Sequence, residues 1–176
     1  MQVLIIFDTV EGQTRKIADF VARRVLAEGN SVQYFSAEDK LGDISFDGID
    51  KVVLAAPVHE RRHPPGFEVL ISTSRAELAA RQTLMISVSL KAGFPEGRDE
   101  AQDYLTEMKM RTRFEPTQEV LVAGAVRTAS YDYFERQVVN NVVLDGRSVA
   151  LVDGVREFTD WDALAETVDA FLQAPA

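Results

Sequence analysis

The sequence predicts an α/β protein: a five-stranded parallel sheet in the order 2-1-3-4-5, with helices on both faces. Two observations carry that prediction. Short apolar runs of strand length recur along the chain, and several are apolar on both faces, as strands buried between two helical layers must be. Between them lie stretches with apolar residues at helical spacing, so strand and helix alternate as in sheets joined by crossovers. The 176 residues, 46% hydrophobic and 27% charged, suffice for one domain over 1–176 with a sizeable core.

The elements follow in order. QVLIIF (Gln2 to Phe7) is the first strand, stopped by Asp8 and Thr9. Gln13 to Glu28 is a helix with Ile17, Phe20, Val21 and Val25 on one face, and Gly29-Asn30 ends it. SVQYFS (Ser31 to Ser36) alternates as a second strand, and KVVLAAP (Lys51 to Pro57) is a third. A helix is expected over Phe67 to Ala80, a fourth strand over Thr83 to Leu90, and a helix over Asp99 to Met110. EVLVAGAV (Glu119 to Val126) is the fifth strand. Asp160 to Leu172 closes the chain as a helix with Asp160 as N-cap. Residues 127–157 are surplus to this fold. Tyr131 to Leu144 has the look of an extra helix, and the SVALV that follows has no clear conformation.

Composition excludes several function classes. No run of about 18 apolar residues is present, so no membrane-spanning helix is expected. The N-terminal MQVLIIF lacks a basic leader and a cleavage site. With no cysteine, thiolate metal sites, disulfides and cysteine nucleophiles are absent, which suits a cytoplasmic protein. A net charge of −9 argues against nucleic-acid binding, which needs many phosphate-neutralising cations. It is compatible both with simple solubility and with docking on a basic partner.

In such a sheet a ligand binds beyond the carboxyl ends of the strands, at the switch point between the first and third. Three loops reach it: Asp8 to Thr14, Pro57 to Gly66 and Ser89 to Arg98. The first, D-T-V-E-G-Q-T, precedes a helix whose N–H groups and dipole can hold a phosphate without a lysine. Thr9 and Thr14 add hydroxyls, and Gly12 permits a tight backbone. The loop is neither G-x-G-x-x-G nor a Walker loop, and ordinary helix capping is its other reading.

Several blocks resemble one family, in order along the chain. T-x-x-G-x-T after a first strand is similar to the FMN-phosphate loop of flavodoxins. DTVEGQTRKIA (Asp8 to Ala18), SVSLKAGFPEGR (Ser87 to Arg98), VAGAVR (Val122 to Arg127), YDYFER (Tyr131 to Arg136) and FTDW (Phe158 to Trp161) together resemble the flavodoxin-type, quinone-linked protoporphyrinogen IX dehydrogenases of heme synthesis. The first block is common among flavodoxins; the later ones are more specific. The resemblance implies a flavodoxin-like three-layer sandwich with FMN as cofactor. It implies that the phosphate meets Thr9, Val10, Glu11, Gly12, Gln13 and Thr14. The flavin ring would then lie between Pro57, Val58 and His59 on one loop and Ser89, Leu90, Lys91, Ala92, Gly93 and Phe94 on the other. It further implies oxidation of a porphyrinogen, with electrons passed through FMN to a quinone or a protein acceptor, and peripheral contact with the inner membrane.

The chain departs from the family at marked positions. Glu60 and Arg61 stand where relatives tend to present an aromatic and a glycine, and Asp8 where many carry a small residue. The family's surplus segment tends to be basic, whereas Arg127 to Glu157 holds four arginines against five acidic residues.

HERRH (His59 to His63) also matches H-E-x-x-H, the zinc-protease pattern. It follows a strand and runs into Pro64-Pro65, which pushes His63 away from helical dihedrals, so no metal site is expected. Two readings of these residues stay open. One is a solvated charged loop. In the other, Arg61, Arg62, Lys91 and Arg98 form a cationic mouth for substrate carboxylates, and His59 or His63 exchanges protons near pH 7. His59, Arg61, Arg62 and His63 are thus the catalytic candidates. Tyr131, Tyr133 and Phe134 suit either packing or a flat substrate, Trp161 reads as structural, and Glu96, Asp99, Glu100 and Asp103 read as a solvated helix start. The competing functional readings are a one-electron carrier and a flavodoxin-fold binding protein that has lost FMN.

Overall fold

Six residues of unbroken apolar character make β1 (Gln2–Phe7) the centre of the molecule, and every side chain from Val3 to Phe7 is buried. β2 (Ser31–Ser36), β3 (Lys51–Pro57), β4 (Gln82–Ser89) and β5 (Gln118–Ala123) join it in one parallel sheet ordered β2-β1-β3-β4-β5. This is the expected order. A computed structural model describes residues 1–38, 43–127 and 155–175. The helix expected over Tyr131 to Leu144, the SVALV stretch and the aromatics Tyr131, Tyr133 and Phe134 lie outside the described residues.

Alternation along the strands sorts side chains into two apolar layers. Val3, Ile5 and Phe7 with Val53, Ala55, Leu84 and Ile86 face α1 (Gln13–Ala27) and the C-terminal helix. Leu4, Ile6, Val52, Leu54 and Met85 face the helices that follow β3 and β4. Those helices are α2 (Pro65–Thr73), α3 (Arg75–Ala79) and α4 (Arg98–Thr112), and the C-terminal helix is α5 (Trp161–Gln173). Each fully buried Leu, Ile, Val or Phe stabilises by roughly 1.5–3 kcal/mol relative to exposure. The sheet is therefore held from both faces.

Two elements differ from expectation. The single helix expected over Phe67 to Ala80 starts earlier, with Pro65 in its first turn, and is interrupted at Ser74, where φ −93° and ψ 10° leave helical geometry. The fifth strand ends at Ala123. Gly124 N donates to Ser89 O, and the chain leaves the sheet as β6 (Ala125–Arg127). β6 pairs antiparallel with β7 (Val155–Glu157) in a separate two-stranded sheet, so the residues from Ala125 belong to the surplus segment. Apolar character continued through the glycine, and hydropathy does not register a change of pairing partner.

Candidate functional site

The ends of β1, β3 and β4 bring three loops together at the switch point between β1 and β3. The loop after β1 is fixed first. Asp8 N donates to Ala55 O at 3.0 Å, and Gly12 N donates to Thr9 Oγ1 at 3.0 Å. Gly12 is the N-cap of α1 with φ 90°, a left-handed backbone that glycine adopts without strain. Among the described residues no side chain caps this helix, and no acidic residue sits in its first turn. A 15-residue helix thus presents its dipole and first-turn N–H groups to whatever lies beyond them. Thr14 is buried, and Val10 is exposed. Asp8 is 6% exposed; burial raises its pKa, Thr9 N–H opposes that, and Glu38 adds to the rise.

The loop after β3 is a two-residue hairpin turn. His59 and Arg62 exchange backbone hydrogen bonds at 2.9 and 3.0 Å, with Glu60 (φ 47°) and Arg61 (φ 66°) between them. Both are left-handed without being glycine, a strain of about 1–2 kcal/mol per residue. The two histidines of HERRH therefore lie on a turn, not on one helical face. His59 is exposed, whereas His63 is fully buried, with Nε2 and Ser87 Oγ hydrogen-bonded at 2.9 Å. Burial pushes the His63 pKa down to about 4; Glu68 opposes that and Arg111 adds to it. His63 stays neutral near pH 7, which corrects the expectation that it exchanges protons there.

The loop after β4 is built of two short 3-10 turns, Lys91–Gly93 and Pro95–Gly97. A Cβ at Gly97 would lie 2.5 Å from Lys91 O, so only glycine lets the second turn pack on the first. Ser89 Oγ accepts from Ala92 N at 3.3 Å. Phe94 packs edge-on against Phe158 at 5.4 Å and joins Leu90 and Val126 under the β6–β7 pair. Its ring packs where the surplus segment leaves and rejoins the fold, at Val126 and Phe158.

Three cations of the mouth, Arg61, Arg62 and Lys91, are already ion-paired. Arg61 Nη1 and Lys91 Nζ reach Glu100 at 3.2 and 3.0 Å, and Arg61 also lies over the Tyr104 ring. The Tyr104 hydroxyl donates to Glu100, and that bond, then Lys91, lowers the Glu100 pKa. Arg62 pairs with Glu68, which also takes Arg111 at 2.8 Å. Burial raises the Glu68 pKa, yet the two arginines hold it below its ordinary value. Arg98 Nη1 donates to Ala92 O at 3.4 Å. Glu100 is thus the centre of an ion network across two loops, not a solvated helix start. Its one local signal is the i,i+4 pair with Tyr104 inside the expected helix; Arg61 and Lys91 come from other loops.

The Gln13 side chain is buried, and its Nε2 donates to Glu157 on β7 and to Thr159 just beyond it, which leaves the backbone N–H at the start of α1. The contacts of Glu157, Thr159 and Arg127 with Gln13 have no signal in the sequence, since they span more than a hundred positions.

A family model described as a flavodoxin domain matches residues 4–147. The chain belongs to the flavodoxin family. The protein named protoporphyrinogen IX dehydrogenase (quinone) in Escherichia coli K12 is 25% identical over 168 residues, 94% of this chain and 91% of its own length. One of the same name in Leishmania major is 24% identical, with 98% of this chain and 75% of the relative covered. Oxidised flavodoxin 1 of Bacillus cereus superposes with a TM-score of 0.59 at 13% identity, covering 100% of both chains. A short-chain flavodoxin associated with a bacterial microcompartment gives 0.60 at 10% identity, over 98% and 97%. Those two likenesses speak for the flavodoxin fold alone. On the phosphate side the residues fit FMN: Thr9, left-handed Gly12 and an uncapped helix start form an anion cradle. On the ring side the turn offers Glu60 and Arg61 and no aromatic. Among the described residues, no helix is long and apolar enough to cross a membrane.

Proposed function

We propose that this flavodoxin-family protein is an FMN-dependent oxidoreductase that takes electrons from a porphyrinogen-like substrate and delivers them to a quinone-like acceptor. The observation that carries the reading is the start of α1, where Thr9, Gly12 and the first-turn N–H groups form an anion cradle at the switch point, with no side-chain cap among the described residues. The two relatives named protoporphyrinogen IX dehydrogenase support it, because their similarity runs nearly the length of this chain. FMN, when bound, supplies the redox chemistry. The chain's own residues hold and orient. Thr9, Val10, Glu11, Gly12, Gln13 and Thr14 would surround the phosphate through backbone and hydroxyl groups. Pro57, Val58 and His59 would border the ring on one side, and Ser89, Leu90, Lys91, Ala92, Gly93 and Phe94 on the other. Arg61 and Arg62 stand exposed on the rim, where a substrate carboxylate would compete with Glu100 and Glu68 for them.

The test has two stages. The protein is expected to quench FMN fluorescence at saturation, and anaerobic assays with protoporphyrinogen and a quinone are expected to turn over. Arg61→Ala with Arg62→Ala should lower substrate use about tenfold while FMN binding holds, the loss of one charge-assisted contact. No FMN binding sinks the redox reading. It would favour a binding protein that has lost FMN, a reading that buried Asp8 and the Glu60–Arg61 turn support. FMN binding with reduction only by a ferredoxin-type partner would favour a one-electron carrier.

A further inference from the structure

We propose that Glu157 is a positioning residue for the phosphate loop, acting through Gln13, so that the β6–β7 pair sets how the chain receives a phosphate. The inference rests on the FMN reading above and deepens it. Gln13 is the first residue of α1, so its backbone N–H belongs to the anion cradle. Both ends of its carboxamide are committed elsewhere. Nε2 donates to Glu157 Oε2 at 3.1 Å and to Thr159 Oγ1 at 3.0 Å, while Oε1 accepts from Arg127 Nη2 at 3.1 Å. All three partners come from β6, from β7 or from the turn that leads into α5.

The partners are themselves held. Glu157 accepts from Lys16 Nζ, one turn further along α1, and from Trp161 Nε1 at 2.6 Å. Thr159 Oγ1 donates to Ala123 O at 2.6 Å, at the end of β5. Burial raises the Glu157 pKa, but Lys16, Trp161 and Gln13 hold it below its ordinary value, so the carboxylate stays ionised. Lys16 and Arg127 thus join Gln13 and Glu157 in one network beside the start of α1.

The physical consequence is geometric. With no side-chain cap on α1 among the described residues, the aim of its first N–H groups depends on what fixes the backbone of residue 13. A side chain pinned by three hydrogen bonds fixes it, and small errors in donor aim cost binding steeply. The ring of a flavin meets other loops. Loosening Gln13 should therefore weaken FMN but not riboflavin, which lacks the phosphate.

The experiment measures both ligands on the full chain by fluorescence quenching, for wild type, Glu157→Gln and Thr159→Val. Thr159→Val keeps the carboxylate and its ion pair, so it carries the test if Glu157→Gln does not fold. FMN affinity is expected to fall roughly tenfold, with riboflavin within about twofold of wild type. Hydrogen exchange of the ligand-free protein should quicken at residues 11–15 and stay unchanged in α4. Equal losses for FMN and riboflavin, or unchanged exchange at residues 11–15, overturn the inference. A wild-type protein that binds no FMN overturns the function reading instead, and the exchange comparison then decides the coupling alone.

Discussion

His63 has 0% of its surface exposed, and its Nδ1 finds no hydrogen-bond partner among the described residues. Its pKa falls from the ordinary 6.5 to about 4. Between those values the unfolded chain binds a proton that the folded chain does not. The stability from neutral His63 is therefore complete above pH 6.5 and lost as pH falls toward 4, by about 3 kcal/mol in all. Urea unfolding at pH 7.5 and pH 5 should show that slope, and His63→Leu should flatten it; an equal slope in the variant would place the acid sensitivity elsewhere. Glu60 offers the opposite case. Its φ of 47° suits glycine, so Glu60→Gly should stabilise by about 0.5–1 kcal/mol in the same assay. Both residues sit in HERRH. The proline pair already argued against a helical zinc site, but the turn type and the burial of one histidine depend on β4 lying beneath.

At the scale of elements, β3 begins with Lys51, a charged residue that is 2% exposed. Its Nζ donates to Phe171 O, Leu172 O and Ala174 O at 2.7, 3.2 and 2.6 Å, and lies 5.1 Å from the Phe171 ring centroid. A strand thus caps the carboxyl end of α5, where the last carbonyls lack helical partners and the dipole favours a cation. Lys51→Met should cost about 2 kcal/mol, or about 4–8 °C in Tm by circular dichroism. An unchanged Tm would mean water satisfies those carbonyls equally well. α1 and α5 are joined further by Arg24 with Asp169 and by Phe20 against Trp161 at 5.0 Å. The helices themselves were legible from their apolar spacing. Their breaks were not: Ser74 and Gly124 end elements through backbone geometry and partner choice, neither of which alters the hydropathy pattern.

For the whole molecule, the apolar layers cover both faces of the sheet and leave the strand ends to the loops. A ligand held there binds only the folded chain. FMN at 100 times its Kd should therefore add about 2.7 kcal/mol and raise Tm by several degrees, measured by calorimetry. Riboflavin should do less, because it forgoes the start of α1.

The sequence by itself determined the sheet order, the three loops at the switch point and the family resemblance, because each rests on local periodicity or contiguous motifs. Only the tertiary structure decided which charges are spoken for. Arg61 meets Glu100, Arg62 meets Glu68, and Gln13 meets Glu157 across 144 positions. Arg62 and Glu68 are six positions apart, but the other two pairs come within reach only after the sheet has wound and the helices have packed, so no spacing along the chain records them.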